Sequence, residues 1–511
     1  MEHLSTIDAS FLHLETPETP MHVASLILLD LPEGYKGDFL ADLRTVIGKR
    51  MHLAKMLTRK LAPMPFELTE PVWIEDHEID LEHHIRHLTL RKPGSRQQLD
   101  QLIARLHSML LDRSRPLWEL YVIEGLEDGK VGFYSKLHHS GIDGKAGVEL
   151  AQVLYDATAE IREVPPPRRS RDQSPYQLGV AELLQASFNN SVRQYRKMAE
   201  MMPATVNALA AANRIMINQR TQPGERPLNL GLAPKTIFNA SITNQRSFSC
   251  FSLPMDDIKA AGKRVGGTIN TVVMAMCSGA LRGFLKDRGL LPKESLIAMV
   301  PASLRTADDD SMNNQVTLIR VDLATEIDDL PERFKVIHAS SEAGKATVRE
   351  LKPALSTEVP LTGTPWMMTG FASMVGRTRL VEQSPSLANV LISNVPGPPR
   401  PLYVAGARVS EFYPVSIPYH GTGLNITVQS YDGRLEFGLT ACRRVLSQDE
   451  SYELCDRMLK ALGDIKALPS AEEANTAAKE PAAEPKPAKT PAAKRKPAVR
   501  AASRPKGTTA K

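Results

Sequence analysis

Two adjacent histidines followed by Asp-Gly, in His138-His139-Ser140-Gly141-Ile142-Asp143-Gly144, are the residues of this chain whose types and spacing best fit acid–base chemistry. Imidazole, with an unperturbed pKa near about 6.5, can take up and return a proton close to neutral pH. Asp143-Gly144 supplies a tight turn and a carboxylate, able to fix the orientation and tautomer of a nearby imidazole or to hold the turn through an arginine. The spacing disfavours a shared metal. Neighbouring side chains on a strand point to opposite sides, whereas histidine pairs that chelate one ion are spaced to share a face, as in H-E-x-x-H. No metal is therefore expected; one histidine can face a cavity while the other braces the turn. A His-His pair by itself means little, because a lone histidine is more often a satisfied structural residue than a catalyst. Glu82-His-His-Ile-Arg-His87 carries the same pair without a following Asp-Gly and reads as surface or structural.

The elements that must position this heptad are legible around it. Val131, Phe133 and Leu137 share a parity, as on a strand with one apolar face, and Gly147, Leu150, Ala151 and Leu154 recur as on a helix. The heptad is thus a strand-to-helix corner. Further on, Val164-Pro-Pro-Pro-Arg-Arg-Ser-Arg-Asp-Gln-Ser-Pro175 rules out a packed helix or a central strand and marks a boundary. Residues 178–217 have helical spacing with a Met-rich apolar face, which burial against the protein's own lobes or a lipid surface would cover. In the second half, Leu296–Val300, Val316–Val321 and Leu424–Val428 read as strands. The expected organisation is α/β throughout: a first lobe over 1–163, a Pro/Arg-rich and helical linker over 164–246, a second lobe over 247–468, and a tail over 469–511.

That tail accounts for the basic balance of the chain. Residues 471–511 hold ten Lys and Arg against four Glu, so the rest, with 53 basic and 54 acidic side chains, carries about −1. Built from Ala, Pro and Lys, the tail cannot bury enough surface to offset chain entropy and is expected to be disordered. Basic tails can touch anionic headgroups or nucleic acid; a solubilising extension is the simpler reading, and nucleic acid is not an expected partner. Cys250, Cys277, Cys442 and Cys455 are widely scattered, which indicates neither a disulfide framework nor a cysteine zinc site. The N-terminus lacks the charge and apolar run of a signal peptide, and no segment reaches the roughly 20 apolar residues of a membrane span. A cytoplasmic location is expected.

The heptad is similar to the His-His-x-x-x-Asp-Gly signature of the CoA-dependent acyltransferase superfamily, and the chain resembles its bacterial wax ester synthase/diacylglycerol acyltransferase branch. The resemblance rests also on Leu4-Ser-Thr-Ile-Asp-Ala-Ser-Phe11 with Thr19-Pro-Met-His22, Asp112-Arg-Ser-Arg-Pro-Leu-Trp118, Val300-Pro-Ala-Ser-Leu-Arg305 and Ser393-Asn-Val-Pro-Gly-Pro398. It covers residues 4 to 465, leaving out linker and tail. Where the family has Asn-Asp opening a helix, this chain has Ile269-Asn270-Thr271, without the acid.

The resemblance implies two similar lobes, each a mixed sheet with helices, and an active-site tunnel between them. It implies His139 as general base, with His138, Asp143 and the Gly144 turn supporting it. Acyl-CoA enters as a substrate and no cofactor is needed; diacylglycerol or a long-chain alcohol is the acceptor, and triacylglycerol or wax ester the product. A base of this kind contributes of the order of 10² to 10⁴ in rate. The oxyanion needs donors, for which Asn270 and Thr271 are candidates, with a helix N-cap as the alternative reading. Arg305 would hold Asp143 or bind CoA phosphate. Lipid acceptors imply peripheral attachment to the inner face of the membrane or to lipid inclusions. Two other readings are a condensation-type enzyme using carrier-bound substrates and a non-catalytic lipid-surface or nucleoid-binding protein.

Overall fold

A computed structural model describes residues 2–62, 71–142, 144–167, 232–303, 316–351, 370, 373–376 and 378–469. The helix expected over 178–217, most of the basic tail, Asp143 and Arg305 lie outside the described residues. Met1–Leu468 form one compact unit.

The first part of the chain gives strands β1 (Glu2–His3), β2 (His22–Asp30), β3 (Arg59–Ala62), β4 (Val72–Glu75), β5 (Ile85–Thr89), β6 (Trp118–Glu124) and β7 (Val131–His138). The later part gives β8 (Arg246–Pro254), β9 (Ile297–Ser303), β10 (Val316–Asp322), β11 (Val390–Val395), β12 (Tyr403–Val404), β13 (Ala407–Val415), β14 (Leu424–Tyr431) and β15 (Arg434–Cys442). The longer helices are α1 (Thr6–Leu14), α2 (Phe39–Arg50), α3 (Arg96–His107), α4 (Gly144–Leu154), α5 (Met255–Val265), α6 (Ile269–Asp287), α7 (Leu330–Leu351) and α8 (Gln448–Ala467). All three strands read from the second half of the sequence are present, as β9, β10 and β14.

Two six-stranded mixed sheets carry the two lobes, in the orders β12-β13-β2-β7-β6-β5 and β10-β9-β11-β14-β15-β8. In the first, β5 runs parallel to β6 and every other pair is antiparallel. In the second, β11 is parallel to both of its neighbours. A small sheet, β1-β4-β3, stands beside them. Strands β12 and β13 correct the division at 246/247 as a boundary between sheets. They belong to the segment 247–468 in sequence, yet β13 pairs with β2 along Arg408↔Asp30 to Val415↔Ala24 and so enlarges the first lobe's sheet.

Each face of the first sheet is covered. Val131, Phe133 and Leu137 of β7 pack with Phe39, Leu43 and Ile47 of α2 and with Leu150, Val153 and Leu154 of α4. Tyr134 packs on the other face with Leu99 and Ile103 of α3. Strand β7 is buried along its whole length, as expected of a central strand with helices above and below. In the second lobe α6 is the core helix: Val272, Val273, Met276, Ala280, Leu281 and Phe284 are buried against the sheet and the neighbouring helices.

Polar contacts also tie the halves of the chain together. Arg96 of α3 reaches Glu411 of β13 at 3.0 Å and Cys250 of β8 at 3.1 Å. Tyr452 of α8 donates to Asp100 at 3.2 Å. Gly438 of β15 lies so close to β13 that a Cβ there would sit 1.8 Å from the Pro414 carbonyl oxygen.

Candidate active site

The histidine pair stands where β7 runs out. His138 is the last residue of the strand, and His139–Gly141 form a single 3-10 turn that leads toward α4. His138 shares the strand face of Tyr134 and Lys136. Its main-chain N–H donates to the Leu117 carbonyl, and that of His139 to the Met21 carbonyl at 2.9 Å. The corner is therefore pinned to the segments on both sides, Pro116-Leu-Trp118 and Thr19-Pro-Met-His22.

His138 is fully buried and committed to its neighbours. Its Nδ1 accepts the Ser140 N–H at 3.1 Å and lies 2.7 Å from Ser140 Oγ. Its Nε2 is 3.3 Å from Glu15 Oε1, within ion-pair reach but without hydrogen-bond alignment. Glu15 is held in turn by Arg113, at 2.8 and 3.1 Å, and by the Met21 N–H at 2.9 Å. Burial alone would raise the Glu15 pKa, yet His138, Arg113 and the Met21 amide outweigh it and bring it down to about 2. Glu15 is thus a carboxylate at every physiological pH, facing the His138 ring.

His139 has a different environment. Its ring stacks on Phe11 of α1, with centroids 3.9 Å apart and planes 15° apart. Its Nδ1 is buried with no hydrogen-bond partner among the described residues. Burial lowers its pKa to about 4; its own carbonyl group opposes the shift and His138 adds to it. His139 is consequently a neutral imidazole at pH 7, ready to accept a proton. The two rings thus differ in their surroundings, one bonded to Ser140 and facing Glu15, the other stacked on Phe11.

A second ionic cluster supports the corner from below. Lys136, fully buried on β7, pairs with Glu119 of β6 at 2.7 Å and donates to the carbonyls of Leu106 and Met109. Arg86 approaches the same carboxylate at 3.2 Å. His22, opposite His138 in the β2/β7 register, bonds the His107 carbonyl at 2.7 Å, and the His107 ring bonds the Ser416 carbonyl at 2.9 Å. Burial drives His22 well below its ordinary pKa and His107 down to about 3, so both are neutral. No three His, Cys, Asp or Glu among the described residues gather as a metal-ligand set.

The comparison pair is structural. His84 is buried, stacks on Trp118 at 4.2 Å and bonds its carbonyl at 2.8 Å, while the Trp118 indole donates to the Leu57 carbonyl. Asn270 and Thr271 do stand in the first turn of α6, but the residue that caps this helix is Thr268, whose side chain accepts the Thr271 N–H. That corrects the N-cap expectation, by two residues from Asn270 and three from Thr271. Thr271 is tied to Thr268 and His338, at 3.0 and 3.1 Å, and Asn270 accepts from Asn394; none of these partners belongs to the histidine turn. Gly144 opens α4, while Asp143 and Arg305 are outside the described residues. Glu15, Arg113, Lys136 and Glu119 are the members that the sequence reading missed. For Lys136 and Glu119 the available signal was charge at strand positions otherwise filled by apolar residues, since a charge buried there must be paired; Glu15 and Arg113 lie outside the strands and carried no such signal.

Two mixed-sheet lobes with the His-His-x-x-x-Asp-Gly corner at the end of a central strand define a CoA-dependent acyltransferase fold. Residues 4–273 match the wax ester synthase/diacylglycerol acyltransferase catalytic domain, and residues 312–466 match the C-terminal domain of the same family. The chain belongs to this family and is an acyltransferase. It is 37% identical over 459 residues to a protein of Mycobacterium tuberculosis named as a probable diacylglycerol O-acyltransferase, covering 87% of this chain and 94% of the relative. It is 32% identical to the O-acyltransferase WSD of Acinetobacter baylyi, covering 91% and 99%. The wax ester synthase/diacylglycerol acyltransferase of Marinobacter aquaeolei superposes with a TM-score of 0.62 at 30% identity, covering 91% and 98%. A condensation domain of the calcium-dependent antibiotic synthetase shares the fold, with a TM-score of 0.54 at 14% identity and coverage of 92% and 98%.

Proposed function

We propose that the protein transfers a fatty acyl group from acyl-CoA to diacylglycerol or a long-chain alcohol, forming triacylglycerol or wax ester, with His139 as the general base. The observation that carries this reading is the His139 ring, stacked on Phe11 at the end of β7 while Ser140 bonds its neighbour and Glu15 faces it. An alcohol does not ionise at pH 7, but a neutral imidazole can take its proton as the oxygen attacks the thioester carbonyl. A C–O bond forms, the carbonyl becomes an oxyanion, and the imidazolium is left beside it. Collapse breaks the C–S bond, and the imidazolium returns its proton to the departing thiolate. One residue serves as base and then as acid, and no acyl-enzyme is required.

Asp143 fits as a support of the turn, and Arg305 as its partner or as a contact for CoA phosphate. No single described helix is long and apolar enough to cross a membrane, so the reading places lipid acceptors within reach through attachment to the surface of a membrane or a lipid inclusion.

Release of CoA thiol from palmitoyl-CoA, with hexadecanol, dioleoylglycerol or no acceptor, tests the assignment. Acceptor-dependent release is expected, and His139→Ala, with an unchanged circular dichroism spectrum, should lower it by about 10² to 10⁴. A folded His139→Ala enzyme with wild-type turnover would remove the base assignment; absence of acceptor-dependent release would favour carrier-linked condensation.

A further inference from the structure

Helix α4 separates two spaces, one lined mostly by apolar side chains and the other by apolar and charged ones. Gly147, Leu150 and Leu154 turn one side toward β2 and β7 and line, with Val23 and Leu137, an open pocket of about 170 Å³. Leu137 stands two residues before His139, so the cavity begins beside the corner that carries the proposed base. A groove of about 960 Å³ lies on the other side, with Val148, Ile161, Pro398, Leu402 and Phe412 in its walls. Val148 and Ile161 are exposed there. Two residues line both spaces, Ala151 and Tyr155.

Tyr155 follows the last residue of α4, and its N–H still donates to the Ala151 carbonyl at 2.9 Å. On the cavity side its hydroxyl meets Ser25, which is 2.7 Å from Ser135 across the β2/β7 pair. On the groove side its ring stands 6.0 Å from that of Phe412. Ser25 and Ser135 thus put a small polar pair in the wall of this pocket, beside the Tyr155 ring.

The inner cavity is small for a long chain. Pockets that enclose drug-sized ligands run from about 300 to 1,000 Å³, so a hydrocarbon of fatty length fills the inner space and then meets Tyr155.

We propose that Tyr155 sets the length of the substrate hydrocarbon chain seated beside His139, by standing as the partition between the inner cavity and the outer groove. The proposal rests on the acyltransferase site described above. Both substrates bring hydrocarbon, the acyl chain on CoA and the alkyl chain of the acceptor, and the test separates them.

Equilibrium binding of octyl-, dodecyl-, hexadecyl- and eicosyl-CoA thioethers, and of the 1-alkanols of the same lengths, is to be measured calorimetrically for the wild type, Tyr155→Ala, Tyr155→Leu and Tyr155→Phe. Wild-type affinity is expected to rise with chain length and then level off. Tyr155→Ala should carry the rise to longer chains, tightening the longest by about tenfold, the effect of burying roughly two further methylenes, with octyl binding unchanged. Tyr155→Leu should extend the rise part-way, and it decides the matter if the alanine variant does not fold. Tyr155→Phe keeps the ring and should level off where the wild type does. A shift among the thioethers assigns the cavity to the acyl chain, and one among the alkanols to the acceptor. Folded variants that level off where the wild type does in both series, or that tighten every length equally, overturn the proposal. Thioethers carry no carbonyl to transfer, so these outcomes are read independently of turnover and of the His139 assignment.

Discussion

At the scale of single residues, the proposed reaction asks different things of two rings that only their partners distinguish. His138 and His139 are the same residue type one position apart, yet one is held by Ser140 and Glu15 and the other is stacked on Phe11. Glu15 never touches a reacting atom in this arrangement; it is a positioning residue acting through His138. Glu15→Gln removes the charge facing His138 and the partner of Arg113, the kind of loss that costs about 1 to 3 kcal/mol at a buried site. A fall in kcat of roughly 10- to 100-fold is expected with little change in KM for acyl-CoA; a parallel rise in KM would instead place Glu15 in substrate binding. The histidine pair and its Asp-Gly context were legible because they are contiguous. Glu15 and Arg113 were not, because the bonds between them join residues 98 positions apart and charge at the end of a helix usually means solvent. The low pKa of His139 was equally hidden, since burial of a ring at a turn has no signature in spacing.

Among the elements, the strand-to-helix corner was read correctly because β7 and α4 follow their two periodicities without interruption. No strand was read at β13, and its sheet would not have been legible, because alternation records that a residue is half-buried and not which sheet it joins. Its position explains a glycine that would otherwise have no evident purpose. Gly438 on β15 lies under the Pro414 carbonyl of β13, and a Cβ would have to occupy space 1.8 Å from that oxygen. Since backbone must shift to admit even a methyl group, Gly438→Ala is expected to destabilise the protein by about 1 to 3 kcal/mol or more, seen as a lower urea midpoint. An unchanged midpoint would mean that the two strands part easily. The cap of α6 teaches a related lesson: Thr268, Asn270 and Thr271 are all competent capping types, and the choice of Thr268 follows from where the chain arrives from Gly266, which has φ 69°.

For the molecule as a whole, buried neutral histidines set a limit in acid. His107 is unprotonated in the fold because burial lowers its pKa to about 3, while in an unfolded chain it binds a proton below about 6.5. The unfolded state therefore holds the extra proton between those values, and stability falls as pH drops from about 6.5 toward 3, by up to about 1.4 kcal/mol per pH unit. His22 and His139 act in the same direction. Glu436, pushed up to about 7 by burial, acts in the opposite one, taking up a proton in the fold and gaining stability as pH falls. His107→Gln should flatten the dependence of unfolding free energy on pH by close to one proton across pH 6 to 4, measured by urea titration; an equal slope would mean that the ring already ionises in the fold. The order in which the sheet is completed has its own consequence. Ser410 of β13 bonds the Leu28 carbonyl of β2 across 382 positions, so at about 5 to 20 residues per second the ribosome needs roughly 20 to 80 s to deliver the neighbour that β2 awaits. Through that interval the nascent first lobe presents an open strand edge, the feature by which chains recruit one another into aggregates. Chaperone demand during synthesis should therefore track how quickly the stretch between β2 and β13 is translated.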